Sequence, residues 1–114
     1  MSYEQGDGVE RDYARAVIFY EQAVAQDDTQ ARYNLACMYD TGKGVKQNSV
    51  TATNLWAQSA RQGHANSQFH LGNSFVRGEG VAQDIAQAMR LFASAAAQGH
   101  HGAHDHLEAC RTMS

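Results

Sequence analysis

Between residues 31 and 39, Ala31, Leu35, Ala36 and Tyr39 recur at the three- and four-residue steps that place them on one face of a helix. Gly42, Gly44 and then Val45 follow. Two glycines stop a helix and permit a sharp reversal, so the pattern predicts a turn there, anchored by the valine. A second helical stripe, Ala52, Leu55, Trp56 and Ser59, runs from Asn48 to about Gln62. Asn48 stands where a short polar side chain accepts from the free amides at a helix start. Gly63 ends the stripe. The predicted unit is a helix pair, termed here helix A and helix B.

The unit repeats. Gly6-Asp7-Gly8-Val9 returns as Gly42-Lys43-Gly44-Val45 and as Gly78-Glu79-Gly80-Val81, each time after 36 residues. The same offset aligns Tyr3, Tyr39 and Phe75; Asp12, Asn48 and Asp84; Ala16, Ala52 and Ala88; and Tyr20, Trp56 and Phe92. Gly63 and Gly99 share a register with Asp27, and Asp tolerates the left-handed backbone better than most residues. Small residues recur where helices must approach closely, and aromatics where gaps between layers must be filled. A fixed period of this length is the mark of a solenoid. With no proline and no alternating β-branched stretch, a sheet is not expected. The prediction is an all-α chain, an α-α superhelix of about three 36-residue helix-turn-helix repeats. The whole chain, 1–114, reads as one domain with repeat phases of about 1–30 (partial), 31–66, 67–102 and 103–114 (partial, capping). Six helices in the order B-A-B-A-B-A should result, each Gly-x-Gly lying in a loop.

These residues closely resemble the Sel-one-like repeat (SLR) family, a relative of the tetratricopeptide repeats. One copy carries the resemblance through Ala31, Tyr33, Leu35, Tyr39, Gly42, Gly44, Val45, Ala52, Trp56, Ala60 and Gly63. The next carries it through Phe69, Leu71, Gly72, Phe75, Gly78, Gly80, Val81, Asp84, Ala88, Phe92, Ala95, Ala96 and Gly99. The likeness runs from Tyr3 to about Leu107. The last copy departs from it, with Asp105 at the aromatic position and Glu108 where Gly or Ala is usual, as a capping repeat would. The resemblance implies an adaptor that assembles protein complexes; from the residues themselves, no enzymatic activity and no cofactor are expected.

Charge narrows the partner class. The net charge is −3, and residues 1–28 hold seven acids against Arg11 and Arg15. A nucleic-acid binder would concentrate Lys and Arg on one face instead. No apolar run approaches a membrane span. A protein or peptide partner is therefore expected, held in the groove that inner helices of a solenoid line. With Leu35 turned to the core, the opposite face of helix A presents Gln30, Tyr33, Cys37 and Asp40, and the next repeat presents Asn66, Phe69, Asn73 and Val76. Rings give contact area and amides pair with backbone groups. The competing reading for Tyr33 and Phe69 is packing between neighbouring helices.

A rival function is a metal-binding or hydrolytic, β-lactamase-like repeat protein. His100 and His104 are four apart, with His101, Asp105 and His106 beside them. Against it, His64 and His100 occupy a position after the glycine where the resemblance itself accounts for a histidine. His70 and His106 are likewise repeat-equivalent. Family members linked to β-lactam hydrolysis carry paired cysteines in every repeat, whereas this chain has Cys37 and Cys110 alone. No metal set is assigned.

The ends of the chain are out of phase with its repeats. Val17, Tyr20 and Val24 are expected to meet solvent where a preceding helix would lie, and the final helix A lacks a following helix B. Association with a second copy, or continuation as part of a longer solenoid, is the expectation.

Overall fold

The computed structural model describes residues 2–113, with side chains from Asp12 to Thr112. Six helices follow one another in the described chain: α1 (Ser2–Ala25), α2 (Thr29–Thr41), α3 (Ser49–Arg61), α4 (Ala65–Arg77), α5 (Ile85–Ala97) and α6 (His101–Met113). No strand occurs among the described residues. Helices α2, α4 and α6 are helix A of successive repeats; α1, α3 and α5 are helix B. Each packs mainly on its chain neighbours, giving an elongated body of 49 × 32 × 25 Å.

The helix starts obey one rule. Asn48 Oδ1 accepts from Thr51 N at 3.1 Å, and Asp84 Oδ1 accepts from Gln87 N at 3.1 Å. Asp28 Oδ1 does the same for Ala31 N at 2.9 Å. Each satisfies an amide that has no partner within its own helix. Gly42 and Gly78 close α2 and α4 in the left-handed conformation. Asp27 occupies that region too, at φ 65°, as its register with Gly63 and Gly99 suggested.

The core is nearly continuous. Ala36, Ala52, Trp56, Ala60 and Leu71 form one buried cluster, and Ala88, Phe92, Ala95, Ala103, Leu107 and Cys110 form the other. Phe75 packs on both and joins them. The small residues Ala52, Ser59, Ala88 and Ala95 are wholly buried, which lets the helix axes approach around the large rings of Trp56 and Phe92.

Three expectations are corrected at the N-terminal end. The first Gly-x-Gly, residues 6–8, lies within α1 and not in a loop. Asp12, expected to begin a helix as Asn48 does, is an exposed residue inside the same helix. The later copies explain both. Gly44 sits against the preceding helix B, where a Cβ would stand 2.6 Å from the carbonyl of Tyr13. In α1 an unbroken helical ladder satisfies the backbone instead of such a seated reversal. Val17 is the third correction: it is buried, and Tyr20 and Val24 are half-buried. Val17 shares its register with the buried Thr53, on a helix that packs against α2, whereas Ile18 (56 % exposed) and Phe19 (65 % exposed) meet solvent.

Candidate functional site

The eight residues expected to line a binding groove separate into three kinds. Gln30 and Asn66, both exposed, are tied to histidines of the following repeat. His64 begins α4: its Nδ1 accepts from Ser67 N at 3.2 Å, and its Nε2 faces Gln30 Oε1 at 2.9 Å. A backbone N–H only donates, so the proton of the neutral ring sits on Nε2 and is donated to Gln30. His100 repeats the arrangement. Its Nδ1 accepts from Ala103 N at 3.0 Å, and its Nε2–H donates to Asn66 Oδ1 at 2.8 Å. These histidines hold the position that Asp28 holds one repeat earlier. They cap a helix and also tie it to the previous helix A.

Tyr33, Cys37, Phe69 and Val76 are half-buried packing residues at the core margin. Phe69 stacks on His100 with ring centroids 4.6 Å apart and meets His106 edge-on at 4.9 Å. The Tyr33 hydroxyl lies 3.2 Å from His70 Nε2. His70 stacks in turn on Trp56, at 4.9 Å and 12° between planes. Burial lowers the pKa of His70, partly opposed by Asp40, so the ring is held neutral. Burial likewise pushes Tyr33 up to about 12. It also raises the Cys37 thiol, against the weaker pull of Tyr33 and the Trp56 indole N–H.

Asp40 and Asn73, both half-buried, are the third kind. They line a polar pocket of about 170 Å³ between the C-terminal halves of α2 and α4. His70, Arg77 and Glu79 share it, with Trp56 and the start of α3 behind. His70, Arg77 and Trp56 were not among the groove residues expected from the sequence. A signal existed, since Asn66, His70, Asn73 and Arg77 follow a helical period, but that stripe lies beside the one chosen opposite Leu71.

The C-terminal histidines do not converge. His100 is the α6 cap, His106 Nδ1–H donates to Gly102 O at 2.8 Å, and His101 and His104 are exposed. Among the described residues no group of three His, Cys, Asp or Glu side chains is placed to hold a metal ion. None of the described helices is long and apolar enough to cross a membrane.

The repeat geometry has a match in sequence. The Sel1 repeat model matches three consecutive segments, residues 1–28, 29–64 and 65–100. The chain belongs to the Sel1 repeat family. Repeats of this family generally serve as scaffolds for protein–protein interaction and are generally not enzymes. Among solved structures, a protective antigen of uropathogenic Escherichia coli strains with an SLR fold is similar at 37% identity and a TM-score of 0.77. That match covers 86% of this chain and 21% of the antigen. A Sel1 repeat protein from Oxalobacter formigenes is similar at 30% identity and a TM-score of 0.80, over 84% of this chain and 40% of that one. Cysteine-rich protein B of Helicobacter pylori shares the fold at 22% identity and a TM-score of 0.72, over 76% of this chain and 65% of that one. The chain thus spans less than two thirds of the length of each. A comparison with curated proteins finds no match.

Proposed function

We propose that this Sel1 repeat chain is an adaptor that holds a partner protein or peptide on its helix-A face, at the pocket between Asp40 and Asn73. One observation carries the reading: that pocket brings charges of both signs, an amide and a stacked aromatic pair to one opening. Asn73 offers a donor and an acceptor, the complement of a peptide group. Asp40 and Glu79 accept from backbone or cationic donors, and Arg77 grips carboxylates or carbonyls. The half-buried His70, held flat by its stack on the buried Trp56, supplies a rigid polar edge.

Chemistry at Cys37 is disfavoured. A nucleophilic cysteine needs a depressed pKa, and burial moves this one the other way. His64 and His100 are engaged as helix caps. No catalytic step and no cofactor is assigned.

The test is quantitative affinity capture from native extract with the wild-type chain and with Asp40→Ala/Asn73→Ala. The double variant should lose specific partners while its Tm stays within about 2 °C, as expected for two half-exposed polar positions. Gln58→Ala, on the exposed side of α3, serves as the control and should capture the same set. An identical protein set from all three chains would refute the assignment.

A further inference from the structure

On the opposite side of α4 from the Asp40–Asn73 pocket, α3 and α5 leave a cleft of about 420 Å³ between them. Its lining is largely apolar, with Ala57 from α3, Leu71 and Phe75 from α4, and Leu91 from α5. Arg61 and Arg90 also line it, one from each helix B, and both are exposed. Arg61 Nε donates to Ala57 O at 3.4 Å, and Arg90 Nη1 donates to Gln87 Oε1 at 3.2 Å. Each guanidinium carries five N–H donors, so these bonds use only a small part of its capacity. The ion pairs among the described residues, Arg32–Asp27 and Arg111–Glu108, involve neither arginine. No carboxylate lines the cleft, although the chain is acidic overall.

The repeat does not require this pairing. One repeat earlier, Ala25 stands at the position of Arg61 and Asn54 at that of Arg90, while Glu21 stands at that of Ala57. The equivalent face between α1 and α3 therefore carries an acid and neither arginine. Two cations without an ion-pair partner, set around apolar walls, distinguish this junction from the one between α1 and α3.

We infer that the α3–α5 cleft is a second docking site, taking a partner peptide segment in which a large apolar side chain adjoins Asp or Glu. The volume falls in the range of sites that enclose a compact ligand, about 300–1,000 Å³. Leu71, Phe75 and Leu91 would receive the apolar group, and the two arginines its carboxylates, through the fork geometry that suits them. This site selects differently from the helix-A pocket, whose charges are of both signs, and it stands independently of that reading.

A random peptide library displayed on phage and selected on the immobilised chain tests it. Enriched sequences should place Leu, Phe, Ile or Trp beside Asp or Glu. One enriched peptide, synthesised with a fluorescent label, should bind Arg61→Glu/Arg90→Glu at least about tenfold more weakly by anisotropy, a loss of one charged contact or more. Arg61→Gln/Arg90→Gln, which keeps side-chain length, should also weaken it, and covers the case in which charge reversal impairs folding. Gln58→Ala, which adds no charge beside Arg61, should leave the affinity unchanged. Enrichment of basic or purely apolar sequences, no enrichment, or binding indifferent to both arginine variants would overturn the inference. Loss of binding in Asp40→Ala/Asn73→Ala but not in the arginine variants would also overturn it, while supporting the helix-A site.

Discussion

Two glycines separate the effect of backbone conformation from that of helix packing. Gly44 and Gly63 both hold positive φ, 75° and 87°, so alanine at either place is strained by its own Cβ. That strain is about 1–2 kcal/mol, reduced by about 0.4–1 kcal/mol because alanine also narrows the unfolded ensemble. Around Gly63 a Cβ meets nothing within 4 Å. Gly63→Ala should therefore cost about 1 kcal/mol or less. At Gly44 the same atom would stand 2.6 Å from both the carbonyl carbon and the oxygen of Tyr13, and 2.9 Å from Ala14 N. Those are backbone atoms of α1, which cannot swing aside as a side chain can. The loop must retreat from α1, disturbing the Lys43 ammonium that lies 5.3 Å from the Tyr13 ring centre. Overpacking of this kind adds about 1–3 kcal/mol, so Gly44→Ala should cost about 2–4 kcal/mol in all. Urea unfolding followed by circular dichroism, with midpoint and slope fitted separately, measures the difference. If Gly44→Ala is no more destabilising than Gly63→Ala, the seating of the loop on α1 is not what the second glycine serves.

Acid should weaken the fold through the histidines. His64 caps α4 only while Nδ1 is unprotonated, and burial lowers its pKa below the usual 6.5, as at His70. The unfolded chain binds the proton first, so stability held above about pH 6.5 declines as pH falls from there through the lower folded-state values. His64→Asp, which copies Asp28, should keep the cap and reduce the drop in Tm between about pH 7.5 and 5.5; an undiminished drop would remove His64 from the account. Leu71, 7 % exposed in the core beside the α3–α5 cleft, should cost about 2–5 kcal/mol as Leu71→Ala. A loss under about 0.5 kcal/mol in urea would mean that its neighbours, not Leu71, fill that space.

The period of the chain, by itself, determined the helix pairs, the buried stripe Ala31, Leu35 and Ala36, the caps Asn48 and Asp84, and the left-handed Asp27. These follow from local rules: helical spacing fixes which residues share a face, and a helix end needs an acceptor or a residue tolerant of positive φ. Family membership was legible for the same reason, because the repeated residues are the ones these rules constrain. What the tertiary structure decided was the fate of the polar and aromatic residues on those faces. Gln30 and Asn66 looked open but are joined to His64 and His100, whose partners lie 34 residues away in sequence. Asp40 and Asn73 belonged to the same stripe, yet they line a polar pocket that His70 and Arg77 complete from α4. The first Gly-x-Gly matched the others in sequence and still lies within a helix, whereas Gly44 and Gly80 are seated against backbone of the preceding helix B. The α3–α5 cleft could not be read from any one stripe. It is space left between three helices, and space of that kind is set by how helices pack, not by the order of residues along any one of them.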